Sequence, residues 1–135
     1  MPSILLIEDD DLFREALAGA LGVALVERGF TVTQAVDGEQ GVRAFRAAPT
    51  DLVITDIVMP NLEGIETIKA LQRENPKIGI IAMAGGHAQE TQLYRKAAEA
   101  LGATRTLQKP FDLPAMLAAI EETLARSPTK AGTVP

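Results

Sequence analysis

The chain has no cysteine, no tryptophan and a single histidine among its 135 residues. The first absence removes disulfides, thiol nucleophiles and cysteine-ligated zinc. One histidine cannot build a histidine metal cluster, so any bound metal must be held by oxygen atoms. No window approaches the roughly 18 consecutive apolar residues of a membrane span. The N-terminus lacks the basic start and cleavage site of a secretory leader, so a cytoplasmic protein without membrane contact is expected. Basic charge is in deficit too. Thirteen Lys and Arg face 18 Asp and Glu, a formal net charge of −5, which argues against direct nucleic-acid binding. The remainder, 47% hydrophobic and 23% charged, is ordinary for one soluble globular domain with a sizeable core.

What is present is organised around Asp51-Leu52-Val53-Ile54-Thr55-Asp56-Ile57-Val58-Met59-Pro60. Leu52 to Ile54 is a short, β-branched apolar run, suited to a buried strand and too short for a helix. It breaks at Asp56 into a stretch where Pro60, Asn61 and Gly64 mark a loop. A carboxylate at the carboxyl end of a buried strand sits where open α/β sheets bind their ligands. Asp56 is therefore the candidate reactive group.

Four further strands and five helices are predicted around it. Ser3 to Ile7 is a continuous apolar run, as a strand covered on both faces requires. Glu8-Asp9-Asp10-Asp11 follow and can cap a helix from about Leu12 to Arg28, with Phe13, Leu17, Leu21 and Leu25 inward and Ala16, Ala20 and Ala24 beside them. Gly29 closes it. Thr31 to Ala35 is a weaker strand, and Asp37 with Gln40 resembles a capping box opening a helix to about Ala47. A helix from about Glu63 to Asn75, a strand from Ile78 to Met83, and a helix from about Gln89 to Leu101 follow, the last carrying Leu93, Ala97 and Leu101 inward. A strand from Thr104 to Gln108 ends at Lys109-Pro110-Phe111, and Asp112 caps a last helix striped by Leu113, Met116, Leu117, Ile120 and Leu124. Strictly alternating strands and helices give a doubly wound parallel sheet. Residues 1–126 form the domain, and 127–135 read as a tail or linker stub.

Three signals fall at carboxyl ends of strands: the acids Glu8 and Asp9, then Asp56, then Lys109. In this topology those ends share one edge of the sheet and can converge. Neighbouring carboxylates repel and cannot all stay ionised without a cation. A hard divalent ion that keeps waters and pairs with phosphate, such as Mg²⁺, suits them. The chemistry this allows is attack by Asp56 on a phosphoryl group, with Lys109 and the metal neutralising its oxygens.

Ile4-Leu5-Leu6-Ile7-Glu8-Asp9-Asp10, the Asp51 to Pro60 stretch and Lys109-Pro110-Phe111 together resemble the receiver domain of two-component response regulators. The resemblance spans about residues 3 to 126. It implies a flavodoxin-like sheet of strand order 2-1-3-4-5 and a signalling domain that catalyses only its own aspartyl phosphorylation and dephosphorylation. Asp56 would accept phosphate from a sensor histidine kinase or phosphotransfer protein. Glu8, Asp9, Asp56 and the backbone carbonyl of Val58 would hold Mg²⁺, Lys109 would pair with the phosphoryl group, and Lys109-Pro110 would be cis. The signal would pass to a downstream protein or an output domain, and the face of the fourth helix, fifth strand and fifth helix is the expected docking surface.

The sequence departs from that family at two linked positions. Ala84 stands where a Ser or Thr hydroxyl usually binds the phosphoryl oxygen, a hydrogen bond to charge worth about 1.5–3 kcal/mol. Thr106 stands where Tyr or Phe is usual. The expectation is a phosphorylatable receiver with an atypical switch, acting through the Gly85-Gly86 loop or by homodimerisation. The apolar Leu21 to Val26 stretch, with Gly19 and Gly22 in or beside it, is assigned to core packing ahead of an intermolecular contact. Two rival functions are weighed. A phosphohydrolase passing through an aspartyl phosphate needs a second Asp where Val58 stands, and valine moves no proton. A receiver-shaped interaction module that is never phosphorylated is favoured by Ala84 and opposed by the intact Glu8, Asp9, Asp56 and Lys109 set.

Overall fold

A computed structural model describes residues 2–57, 63–85 and 88–126. Five parallel strands form one sheet: β1 (Ser3–Ile7), β2 (Thr31–Ala35), β3 (Leu52–Asp56), β4 (Gly79–Ala84) and β5 (Arg105–Gln108), in the order β2-β1-β3-β4-β5. The helices between them are α1 (Asp11–Ala24), α2 (Gly38–Ala47), α3 (Glu63–Glu74), α4 (Ala88–Leu101) and α5 (Leu113–Arg126). This is the doubly wound architecture that the alternation of elements predicts, with the predicted strand order. The stub at 127–135 lies outside the described residues.

The continuous apolar runs are explained by the two cores they serve. Leu5, Ile7, Val53, Ile80 and Ala82 face α2, α3 and α4, where they meet Val42, Phe45, Ile68, Leu71 and Ala98. Their neighbours Ile4, Leu6, Leu52, Ile54, Ile81 and Met83 face α1 and α5, against Leu17, Leu21, Met116 and Ile120. A strand buried on both sides has no polar face to alternate with. β2, at the edge, is mostly exposed, and its polar residues follow from that.

The caps behave as their residues require. Asp10 accepts from the Phe13 N–H at 3.2 Å and opens α1, and Asp112 accepts from Ala115 at 2.9 Å and opens α5. Asp37 accepts from Gln40 at 2.8 Å, while the Gln40 side chain reaches back one residue further than a capping box does, to the Val36 N–H at 2.8 Å.

Four expectations are corrected. The first helix does not run unbroken to Arg28. It ends at Ala24, and Val26–Arg28 forms a separate 3₁₀ turn with i→i+3 bonds, closed by Gly29 at φ 74°. Helical phase then divides the apolar stretch: Leu21 and Leu25 enter the core, whereas Val23 and Val26 stand 77% and 66% exposed. Ala18, not Ala16 or Ala24, is the buried alanine flanking the stripe. On α4, Leu93 is 69% exposed, and among the described side chains Ala98 is the one buried in the core.

Two glycines in helices have opposite environments. A Cβ on Gly22 would meet nothing within 4 Å, whereas one on Gly64 would lie 2.4 Å from the Ile57 Cα and 2.6 Å from its carbonyl oxygen. Gly22→Ala is expected to stabilise the protein by about 0.5–1 kcal/mol through helix propensity. Gly64→Ala is expected to destabilise it by about 1–3 kcal/mol, since backbone cannot yield as a side chain can. Urea denaturation of both variants tests this; a Gly64→Ala protein as stable as wild type would contradict the close approach of α3 to the end of β3.

Candidate functional site

The carboxyl ends of β1, β3 and β5 come together at one edge of the sheet. The Glu8 N–H extends the β1–β2 ladder by donating to the Ala35 carbonyl at 3.1 Å. That turns the Glu8 side chain into the fold, where it is 1% exposed. One of its carboxylate oxygens, Oε1, accepts from Lys109 Nζ at 2.8 Å, and Oε2 accepts from the Asp10 N–H at 3.1 Å. Asp9 is exposed. Asp56, the last residue of β3 and 5% exposed, accepts from Lys109 Nζ at 3.0 Å through Oδ2. Each of Glu8, Asp9 and Asp56 presents a carboxylate oxygen, and the three oxygens lie within 4.8 Å of one another. Three hard oxygen donors so close fit a divalent cation of the Mg²⁺ type.

Lys109 is held by contacts along its whole length. Its N–H donates to the Ala84 carbonyl at 2.6 Å, just beyond the β4–β5 ladder. Its stem passes 3.4 Å from where a Cβ on Gly85 would stand. The ammonium lies 4.3 Å from the centre of the Phe13 ring, a cation–π distance, and Phe13 meets Phe111 edge to face at 5.9 Å. The Lys109–Pro110 bond is cis. The ammonium lies among the acids, bonded to both Glu8 and Asp56.

The electrostatics follow from burial and from the mixture of charges. Burial pushes the Glu8 carboxyl up to about 7, and the Asp56 carboxylate adds to the push, while hydrogen bonding to Lys109 and to the Asp10 N–H pulls the other way. For Lys109, burial works against the charged form, but the hydrogen bond to Glu8 and the charge of Asp56 outweigh it and leave its pKa above the usual lysine value.

Of the remaining residues singled out from sequence, Val58 lies outside the described residues. Ala84 is the last residue of β4 and fully buried. Thr106 pairs with Ala82 across β4 and β5, and its buried hydroxyl has no hydrogen-bond partner among the described residues. One residue beside the site was missed: Arg14, 7% exposed, donates to the Glu8 carbonyl oxygen at 3.0 Å and to Gln34 Oε1 at 3.1 Å. Its signal was available, since an arginine three residues before Leu17 falls on the face that periodicity assigns to the core.

Comparison with known proteins agrees with this geometry. The family model for the response regulator receiver domain matches residues 4–121. A protein of Rhizobium etli named as a probable chemotaxis protein CheY is 39% identical over 117 residues, covering 86% of this chain and 88% of that one. The transcriptional regulatory protein CseB of Streptomyces avermitilis is 33% identical over 123 residues, or 91% of this chain and 49% of CseB. The chain thus spans about half the length of that relative. A crystal structure of a response regulator receiver domain protein from Clostridium thermocellum superposes with a TM-score of 0.77 at 26% identity, covering 93% of this chain and 96% of that one. The chain belongs to the response regulator receiver domain family. It is a signalling domain of a two-component system, and no helix among its described residues is long and apolar enough to cross a membrane.

A carboxyl raised from 4.5 to about 7 favours the folded state only while protonated. Its contribution is complete below pH 4.5 and is lost as pH rises through about 7. In EDTA, the protein is therefore expected to lose stability between pH 5 and pH 8. Glu8→Gln should flatten that slope and raise Tm at pH 8 by roughly 5 °C. Thermal melts at the two pH values check it, and a lower Tm for Glu8→Gln at pH 8 would contradict the assignment.

Proposed function

We propose that this receiver accepts a phosphoryl group on Asp56 from the phosphohistidine of a sensor kinase or phosphotransfer protein. Glu8, Asp9, Asp56 and the Val58 carbonyl would hold Mg²⁺. The observation that carries the reading is the meeting of Asp56 with Glu8, Asp9 and Lys109 at one strand edge. A carboxylate oxygen of Asp56 forms the new O–P bond as the P–N bond to the donor imidazole breaks. The imidazole leaves with the electron pair and takes a proton from water. Lys109, already charged and aimed at Asp56, offsets charge on the transferring oxygens at no reorganisation cost. Bound Mg²⁺ would supply the rest of that neutralisation. Burial of Asp56 and Glu8 in apolar surroundings strengthens each of these interactions.

The output is proposed to depart from the family's usual switch. Ala84 is buried and carries no hydroxyl, and Thr106 has no ring to swing inward. Signalling would then pass through protein contacts, to a downstream partner, an output domain or a second copy of the chain, without a β4 hydroxyl drawing the following loop. The domain would work in the cytoplasm and make no direct contact with nucleic acid. Ala84 also supports a second reading, a receiver-like interaction module that works unphosphorylated.

Incubation with Mg²⁺ and a small phosphodonor, read by intact mass spectrometry, separates the two. A single phosphoryl adduct is expected on wild type, none on Asp56→Asn, and an adduct forming about tenfold more slowly or worse on Lys109→Met. No adduct on wild type would favour the unphosphorylated module, and an undiminished one on Asp56→Asn would refute Asp56 as the acceptor. Structures with and without a phosphate mimic are expected to keep Ala84 and α4 in place; inward movement of both would refute the atypical switch.

A further inference from the structure

Arg14 is a buried cation whose guanidinium holds the backbone of the turn that carries two of the three clustered carboxylates. It sits in the first turns of α1, its own N–H donating to the Asp10 carbonyl at 2.8 Å. Its guanidinium reaches back towards the end of β1. Nη1 donates to the Glu8 carbonyl oxygen at 3.0 Å, and Nε donates to Gln34 Oε1 on β2 at 3.1 Å. The Glu8 carbonyl belongs to the peptide unit that leads into Asp9. The preceding peptide is fixed by the Glu8 N–H on Ala35 at 3.1 Å, and the following one by the Asp10 N–H on Glu8 Oε2 at 3.1 Å. Three successive peptide units around Glu8 and Asp9 are thus held, and Arg14 supplies the middle anchor. Asp9, whose side chain is exposed, owes its direction to that backbone.

We propose that Arg14 is a positioning residue for cation binding: it fixes the Glu8–Asp9 peptide plane so that the Asp9 carboxylate points into the cluster with Glu8 and Asp56. Two effects of the guanidinium oppose each other. Its positive charge would repel a divalent ion, whereas its hydrogen bonds pre-order the ligands. Asp11 pairs with Nη1 at 2.8 Å and Glu15 lies 3.9 Å from Nη2, so the charge is compensated locally and the ordering dominates. The planar fork matters, because one lysine ammonium cannot reach both the Glu8 carbonyl and Gln34 in that geometry.

The inference rests on the metal-binding reading above, and the test separates the two. Mg²⁺ affinity of the whole chain is measured by isothermal titration calorimetry for wild type, Arg14→Met, Arg14→Lys and Gln34→Ala, with Tm recorded for each. Arg14→Met is expected to weaken Mg²⁺ binding about tenfold, the lower end of what loss of a supporting partner costs a metal site. Arg14→Lys should fall between it and wild type, and Gln34→Ala should lose about two- to threefold. Saturating Mg²⁺ should restore the phosphorylation rate of all three. A fall in Tm with Mg²⁺ affinity unchanged would make Arg14 merely structural and overturn the proposal, as would tighter binding. Should Arg14→Met fail to fold, Gln34→Ala, on the exposed edge strand, decides: wild-type affinity there overturns it. Wild type that binds no Mg²⁺ overturns this proposal and the metal-binding reading together, whereas wild-type binding with indifferent variants overturns this one alone.

Discussion

Three strands of this sheet end in charge, and the ammonium of Lys109 joins those ends. At 2.8 Å from Glu8 and 3.0 Å from Asp56, it ties the end of β5 to the ends of β1 and β3. The tie is needed because the fold gathers carboxylates where there is little water to screen them. Opposite charge placed between two buried carboxylates lowers the repulsion between them. Glu8 shows that the compensation is incomplete, since burial still pushes its carboxyl up to about 7. A site of this kind is primed for further positive charge, and that priming is the physical basis for reading it as a cation and phosphoryl site.

Everything that holds Lys109 is ordinary packing put to that use. The sheet delivers its backbone to the Ala84 carbonyl, Gly85 leaves room for its stem, and Phe13, steadied by Phe111, covers its ammonium. Phe13 therefore serves two ends at once, as the first residue of the inward stripe of α1 and as the lid on the lysine. On the other flank Arg14 braces the acidic turn from the same helix. α1 thus does more than cover the sheet: one turn of it supports both the cation and the anions of the site.

The outward surface is uneven in a way that follows from helical phase. Leu12, Val23 and Val26 on or next to α1, and Leu93 on α4, are large apolar side chains left to solvent. The apolar count of these helices exceeds what their buried faces use.

Much of this could be read from residue order alone. Runs such as Ile4 to Ile7 and Leu52 to Ile54 can only be strands covered on both faces, and alternation with helices allows few topologies, so the parallel sheet and the edge that collects Glu8, Asp9, Asp56 and Lys109 were legible in advance. Capping residues declared themselves as well, because Asp10, Asp37 and Asp112 act on neighbours three residues away. What the tertiary structure alone decided depends on distance through space. Whether Leu93 or Ala98 faces inward, where α1 gives way to a 3₁₀ turn, and that Lys109 lies among the acids are matters of helix phase and side-chain reach. Arg14 belongs to the same class: its partners, Glu8 and Gln34, lie 6 and 20 positions away, and only the folded chain brings β1, β2 and α1 close enough for one guanidinium to join them.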